Sequence, residues 1–132
     1  MAADDVERVI ERFFAAIQAG DRATIGELYA DDVEVWHSAT DRAADRATAL
    51  AILDWLMAPG VQLAYDVVEQ LIVGDRVARR HVLTVTVPDH EPIAMPVAIF
   101  LTIAGGRIRR IDEYVDAKAT DRLIELIPIA PT

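Results

Sequence analysis

Apolar residues near the start of the chain fall at Val6, Ile10, Phe13, Phe14 and Ile17, in steps of four, three, one and three. That spacing predicts an amphipathic helix, with Asp4 or Asp5 to cap its start and Gly20 to end it. Asp21 caps a second, shorter predicted helix, DRATIGELYA, whose inner face is Ile25, Leu28 and Tyr29. Asp31 and Asp32 close that helix and open a short predicted strand over 33–37. Residues 38–45 are small and polar and read as a loop. A third helix is predicted over 46–57, with Leu50, Leu53, Leu56 and Met57 on one side and Pro59-Gly60 as its stop.

After Gly60 the period changes from helical to alternating. Four strands are predicted, over 61–73, 76–87, 92–103 and 107–116, separated by Gly74-Asp75, by the run from Pro88 to Pro92, and by Gly105-Gly106. Short turns between long strands imply an antiparallel meander, and long antiparallel strands twist and coil, so the sheet should curve. A terminal helix over 117–127 precedes a proline-bounded tail, 128–131. Helices first and a curved sheet second make a layered α+β plan: a cone with an interior that is either filled or a ligand pocket.

Composition narrows the function classes. At 132 residues the chain is read as one domain, 1–132, and 53% apolar against 27% charged residues excludes disorder. It has no cysteine, which removes thiol nucleophiles, disulfides and thiolate zinc sites. Thirteen basic against 22 acidic residues, net −9, argue against nucleic acid and against an anionic membrane surface. The acidic, amphipathic N-terminus lacks the form of a secretory signal, and no stretch is apolar enough to span a bilayer, so a cytoplasmic protein is expected.

Two phrases carry a resemblance. AGDRATIGELYADDVEV is similar to a helix-to-strand corner, and GGRIRRIDEYVD to a closing hairpin, of the SnoaL-like polyketide cyclase family in the nuclear-transport-factor-2-like superfamily. The resemblance implies the cone-shaped NTF2-like, or cystatin-like, fold for the whole chain, and a homodimer through the outer sheet face. Within it, Glu113 falls where the cyclases hold an acid/base carboxylate. The Asp-Arg-Asp set of limonene-epoxide hydrolases falls on Leu83, His81 and Glu113, so only its last acid is kept. The base of ketosteroid isomerases falls on His37, their oxyanion tyrosine on Phe13, and their protonated acid near Ala98 or Ile99, so neither oxyanion donor is present.

Strand parity sorts the candidates independently. Ile111, Glu113 and Val115 share one face of the last strand, and Arg110, Asp112 and Tyr114 the other. Glu113 therefore points inward between two aliphatics, unless a bulge after Gly106 reverses the parity and turns it to water. His81 shares the apolar face of its strand with Leu83 and Val85, as a core histidine or a proton carrier, while Arg79 is read as a rim cation. His37 has the parity of Val33 and Val35, which leaves Trp36 outside for packing or an interface. Phe13, Phe14, Trp55, Met57, Leu83, Val85, Ile111 and Val115 are the candidate lining of the pocket. The outer face is apolar and β-branched at Val82, Thr84, Thr86, Ala94, Ala98 and Phe100, which independently favours a homodimer.

Three scattered histidines without ligand spacing, and the absence of any phosphate-binding glycine motif, lead us to expect neither a metal nor another cofactor. Two functions fit. One is a cofactor-independent enzyme acting on a small apolar organic molecule by proton transfer among Glu113, His81 and His37, as in cyclisation, isomerisation or dehydration. The other is a non-catalytic small-molecule-binding or dimerisation module.

Overall fold

The apolar stripe of the first segment forms the helix it predicts. In a computed structural model describing residues 3–128, α1 runs Ala3–Ala19 and buries Val6, Ile10, Phe13, Phe14 and Ile17. Gly20 ends it at φ 69°, a conformation that costs a residue without a Cβ little. Asp21 then caps α2 (Arg22–Leu28), its carboxylate accepting from Thr24 N at 3.2 Å and from Thr24 Oγ1 at 2.6 Å. Residues 129–131 of the expected tail lie outside the described residues.

Two local readings are corrected. Tyr29 is not the last inner residue of α2 but the first of β1 (Tyr29–His37), and the chain turns extended there. The loop expected over 38–45 contains β2 (Arg42–Ala44), which pairs antiparallel with β1 through Val35–Ala44, Trp36–Ala43 and His37–Arg42. Asp41, at φ 51°, makes the intervening turn, a conformation Asp tolerates better than most residues. Polar turn residues masked this strand because three residues carry too short an alternation to read.

The remaining elements follow the sequence pattern closely. Asp45 caps α3 (Arg46–Leu56), and β3 (Gln62–Val73), β4 (Arg76–Thr86), β5 (Ile93–Ala104) and β6 (Arg107–Val115) precede α4 (Ala117–Leu126). These strands form the antiparallel meander β3–β4–β5–β6, and β1 adds parallel to β6, giving one sheet of order β2-β1-β6-β5-β4-β3. Register shifts at Val67/Glu69 and Thr102/Ile103 bend it. Helix α1 lies against α2 and β3, α3 against β1, and α4 against β5, so helices cover the concave side.

Between the layers sits one apolar core. Ile10, Ile25, Leu101, Ile103 and Ile108 are at most 1% exposed, and each such side chain contributes roughly 1.5–3 kcal/mol on burial. The fold is thus the α+β cone, with a curved six-stranded sheet and four helices.

Candidate functional site

Parallel pairing of β1 with β6 puts His37 directly beside Glu113. Adjacent strands lie roughly 4.8 Å apart, so side chains in register on one face meet. His37 Nε2 stands 3.1 Å from Glu113 Oε1, and the two side chains are 30% and 29% exposed. The parity expected for β6 holds, since Ile111 is buried on one face while Arg110, Asp112 and Tyr114 occupy the other.

The backbone holds this pair at both ends. Ser38 N donates to Glu113 O and Val115 N donates to Ser38 Oγ, each at 2.9 Å, which locks the end of β1 to β6. Ala39 N donates to His37 Nδ1 at 3.3 Å. With Nδ1 accepting, the neutral ring carries its proton on Nε2, the atom that faces Glu113. A proton-bearing nitrogen beside a half-exposed carboxylate is an arrangement that can exchange a proton with a bound molecule.

His81 points inward as its strand parity requires, but it is not the partner of Glu113. It is 2% exposed, and its Nδ1 accepts from Arg79 Nε at 2.8 Å. Tyr65 and Phe14 meet its ring edge-on, at centroid distances of 4.8 and 5.4 Å. Burial first, and the neighbouring Arg79 cation second, push the His81 pKa down to about 4, so the ring is neutral at neutral pH. Of the three ionisable groups expected to act together, the structure thus brings Glu113 and His37 into contact and leaves His81 with Arg79.

Arg79 corrects another expectation. It is no rim cation but 6% exposed, with its guanidinium 3.7 Å above the Phe14 ring centroid. Val77, Arg79, His81, Leu83 and Val85 all lie inward on β4, and α1 covers the side chain that parity alone would have left near a strand end.

Two tyrosines were missed from the sequence. Tyr29 packs 5.6 Å from Phe13, and Tyr65 packs 4.9 Å from Phe14. Burial raises both phenol pKa values above the ordinary tyrosine range, and the Glu113 carboxylate raises them further. Both are therefore neutral hydroxyl donors within the field of Glu113, and among the described residues neither hydroxyl has a hydrogen-bonding partner. A phenol missing at Phe13 is thus present next to it. Parity with Val33, Val35 and His37 could have flagged Tyr29, and parity with Leu63 could have flagged Tyr65.

The expected lining divides by burial. Phe13, Phe14, Leu83, Val85 and Ile111 belong to the core, while Trp55, Met57 and Val115 are partly buried against it. Trp55 Nε1 donates to Ile127 O at 3.0 Å, which ties α3 to the end of α4. The outer face carries two shallow depressions. One, about 490 Å³, is lined by Val68, Arg80, His81, Val82, Pro96 and Tyr114 among others. The other, about 160 Å³, is lined by Leu71, Val73, Arg76, Ala78 and Phe100 among others. Trp36 faces outward too, 5.0 Å from Tyr114. Among the described residues no three His, Asp or Glu side chains converge as metal ligands, and no helix is long and apolar enough to cross a membrane.

Similar folds are known. The chain superposes on an LEH-like epoxide hydrolase of M. tuberculosis with TM-score 0.77 and 17% identity, covering 93% of this chain and 91% of that one. It superposes on an NTF2-like protein of Burkholderia xenovorans with TM-score 0.74 and 22% identity, over 93% and 98% of the two chains. For IdmH of Streptomyces antibioticus, a candidate polyketide cyclase, the TM-score is 0.75 and the identity 21%, over 91% and 98%. At these identities the likeness shows the fold alone. No curated protein matches the chain. A family model for the SnoaL-like domain matches residues 10–111, most of the cone from α1 to β6, and the chain therefore belongs to the SnoaL-like domain family.

Proposed function

We propose that this protein is a cofactor-independent enzyme that moves a proton on a small, largely apolar organic molecule at the His37–Glu113 pair. The observation that carries the reading is the 3.1 Å approach of His37 Nε2 to Glu113 Oε1 on the half-exposed concave edge. In this reading Glu113 takes a proton from carbon next to a substrate carbonyl, and the electron pair moves to the carbonyl oxygen. His37 supports the changing charge on Glu113 through Nε2–H. Tyr29 and Tyr65, kept protonated by burial, donate hydrogen bonds to the enolate oxygen. The proton held by Glu113 then completes one of three outcomes. In cyclisation the enolate carbon adds to a second carbonyl of the substrate, whose oxygen takes the proton. In isomerisation a conjugated enolate takes the proton at its far carbon. In dehydration a β-hydroxyl takes the proton and leaves as water.

The test is Glu113→Gln, which keeps shape and hydrogen bonding but cannot exchange a proton. Turnover should fall roughly 10²–10⁴-fold with binding little changed. Unchanged turnover would overturn the reading in favour of a non-catalytic binder of the same fold.

We also propose that the outer sheet face pairs two copies of the chain. Val68, Leu71, Val73, Phe100 and Tyr114 are 41–76% exposed on that face, and a second copy would cover these large apolar side chains. Sedimentation should find a species of twice 14.5 kDa at micromolar concentration, and a monomer there would count against it.

A further inference from the structure

A guanidinium taken out of water is costly unless an anion answers it. Arg79 is such a group, and among the described residues no carboxylate lies within ion-pairing distance of it. Its contacts are neutral. Nε donates to His81 Nδ1 at 2.8 Å, and Nη1 donates to Gln70 Oε1 at a long 3.4 Å. Phe14 lies 3.7 Å beneath the guanidinium carbon and the Tyr65 ring 5.6 Å from it.

The contrast with the surface arginines is informative. Arg22, Arg80, Arg109 and Arg110 each meet an Asp or Glu oxygen at 2.8–3.2 Å, where water already screens the charge. Among the described residues no Asp or Glu is placed against Arg79, the buried arginine of the concave face. His81 does not supply the missing charge either, since it is neutral and accepts from Nε. The edge of the guanidinium formed by Nη1 and Nη2 is left with only the long contact to Gln70, and that edge fits a carboxylate through two parallel hydrogen bonds.

We propose that Arg79 receives the carboxylate of an aromatic or other apolar organic acid bound on the concave face, so that the substrate class is an organic acid rather than a neutral molecule. This deepens the preceding reading and rests on the same concave site, though not on proton transfer there. Tyr65 connects the two ends, for its phenol feels both the Arg79 cation and the Glu113 carboxylate. An acid anchored at Arg79 lays its apolar body along Phe14 and Tyr65 towards the His37–Glu113 pair. The aromatic walls favour a flat apolar acid over inorganic phosphate, which would bring charge without a body to bury.

Calorimetric titration with cinnamate and with cinnamamide, nearly identical in shape and differing in charge, tests this. The wild type should bind cinnamate at least about thirtyfold more tightly, a usual size for a buried charge-assisted pair. Arg79→Met should lose that preference, Arg79→Lys should keep part of it, and Glu113→Gln should keep cinnamate binding. Equal binding of the two probes by the wild type, binding of neither, or an acid preference retained in Arg79→Met would overturn the proposal. Should Arg79→Met fail to fold, the wild-type preference and its reduction in Arg79→Lys decide. Cinnamate preference without Glu113-dependent turnover sinks the preceding reading alone, and Glu113-dependent turnover without that preference sinks this one alone.

Discussion

His37 and His81 look onto the same concave surface, and each uses Nδ1 as an acceptor, yet their surroundings separate them chemically. His37 sits at the end of β1, half-exposed, with a carboxylate before its Nε2. His81 sits in mid-strand, buried, with a guanidinium on its Nδ1. Burial and the neighbouring cation hold His81 in its neutral form, while His37 meets a carboxylate nearer to solvent. Residue type and face are therefore poor guides to which histidine can trade protons. The partner and the depth decide it.

The largest effect expected from breaking this contrast is on turnover. His37→Gln should lower kcat roughly 10²–10⁴-fold, and adding Glu113→Gln should cost little more, because the two act as one unit. His81→Gln, which keeps an acceptor for Arg79, should leave kcat within about tenfold of wild type. Equal losses in the two single histidine variants would erase the distinction.

Next in size is an acid-dependent loss of stability at His81. Its pKa is about 4 in the fold against 6.5 unperturbed, so the unfolded chain takes up the proton first as pH falls. The contribution is complete above about pH 6.5, is lost progressively down to about pH 4, and is level below that. It amounts to at most about 3 kcal/mol. Urea unfolding at a series of pH values should show this slope in the wild type and a shallower one in His81→Gln.

The smallest effect concerns the clamp on the open pair. Ser38→Ala removes the acceptor for Val115 N and should cost about 1 kcal/mol in urea unfolding. Because that bond holds β1 in register with β6, kcat should fall several-fold as well. A stability loss without any change in kcat would mean that the His37–Glu113 geometry does not depend on the clamp.

Much of this site was legible as parity. Glu113 between Ile111 and Val115, and His81 among Leu83 and Val85, both face the way that alternation predicts. A bulge at Arg109, opposite Thr102/Ile103, does interrupt β6, so that Ile108 and Ile111 are both buried. It lies before Arg110 and leaves the alternation from Ile111 to Val115 as read. Pairing was not legible. A strand reports which of its faces is apolar, but not which other strand will lie beside it. The partner of Glu113 depended on a parallel β1–β6 contact between residues 76 positions apart, His37 and Glu113. Tyr29 was read as helical because DRATIGELYA keeps helical spacing to its end, and only pairing of Tyr29 with Ile108 draws it into the sheet.

The sequence by itself determined most elements and their faces: the stripe of α1, the Asp21 cap, the long alternating strands with glycine and proline turns, and the inward parity of His37, His81 and Glu113. These are local properties, settled by side-chain periodicity and turn chemistry within a few residues. Asp4 and Asp5, read as caps, lie instead within the first turn of α1. Only the tertiary structure decided which of those groups meet, that His37 rather than His81 stands at Glu113, and that Arg79 is covered by Phe14 instead of reaching water. Proton affinity and buried charge depend on distances of a few ångströms between segments far apart in the chain, and those distances exist only once the sheet has curved and α1 has closed over it.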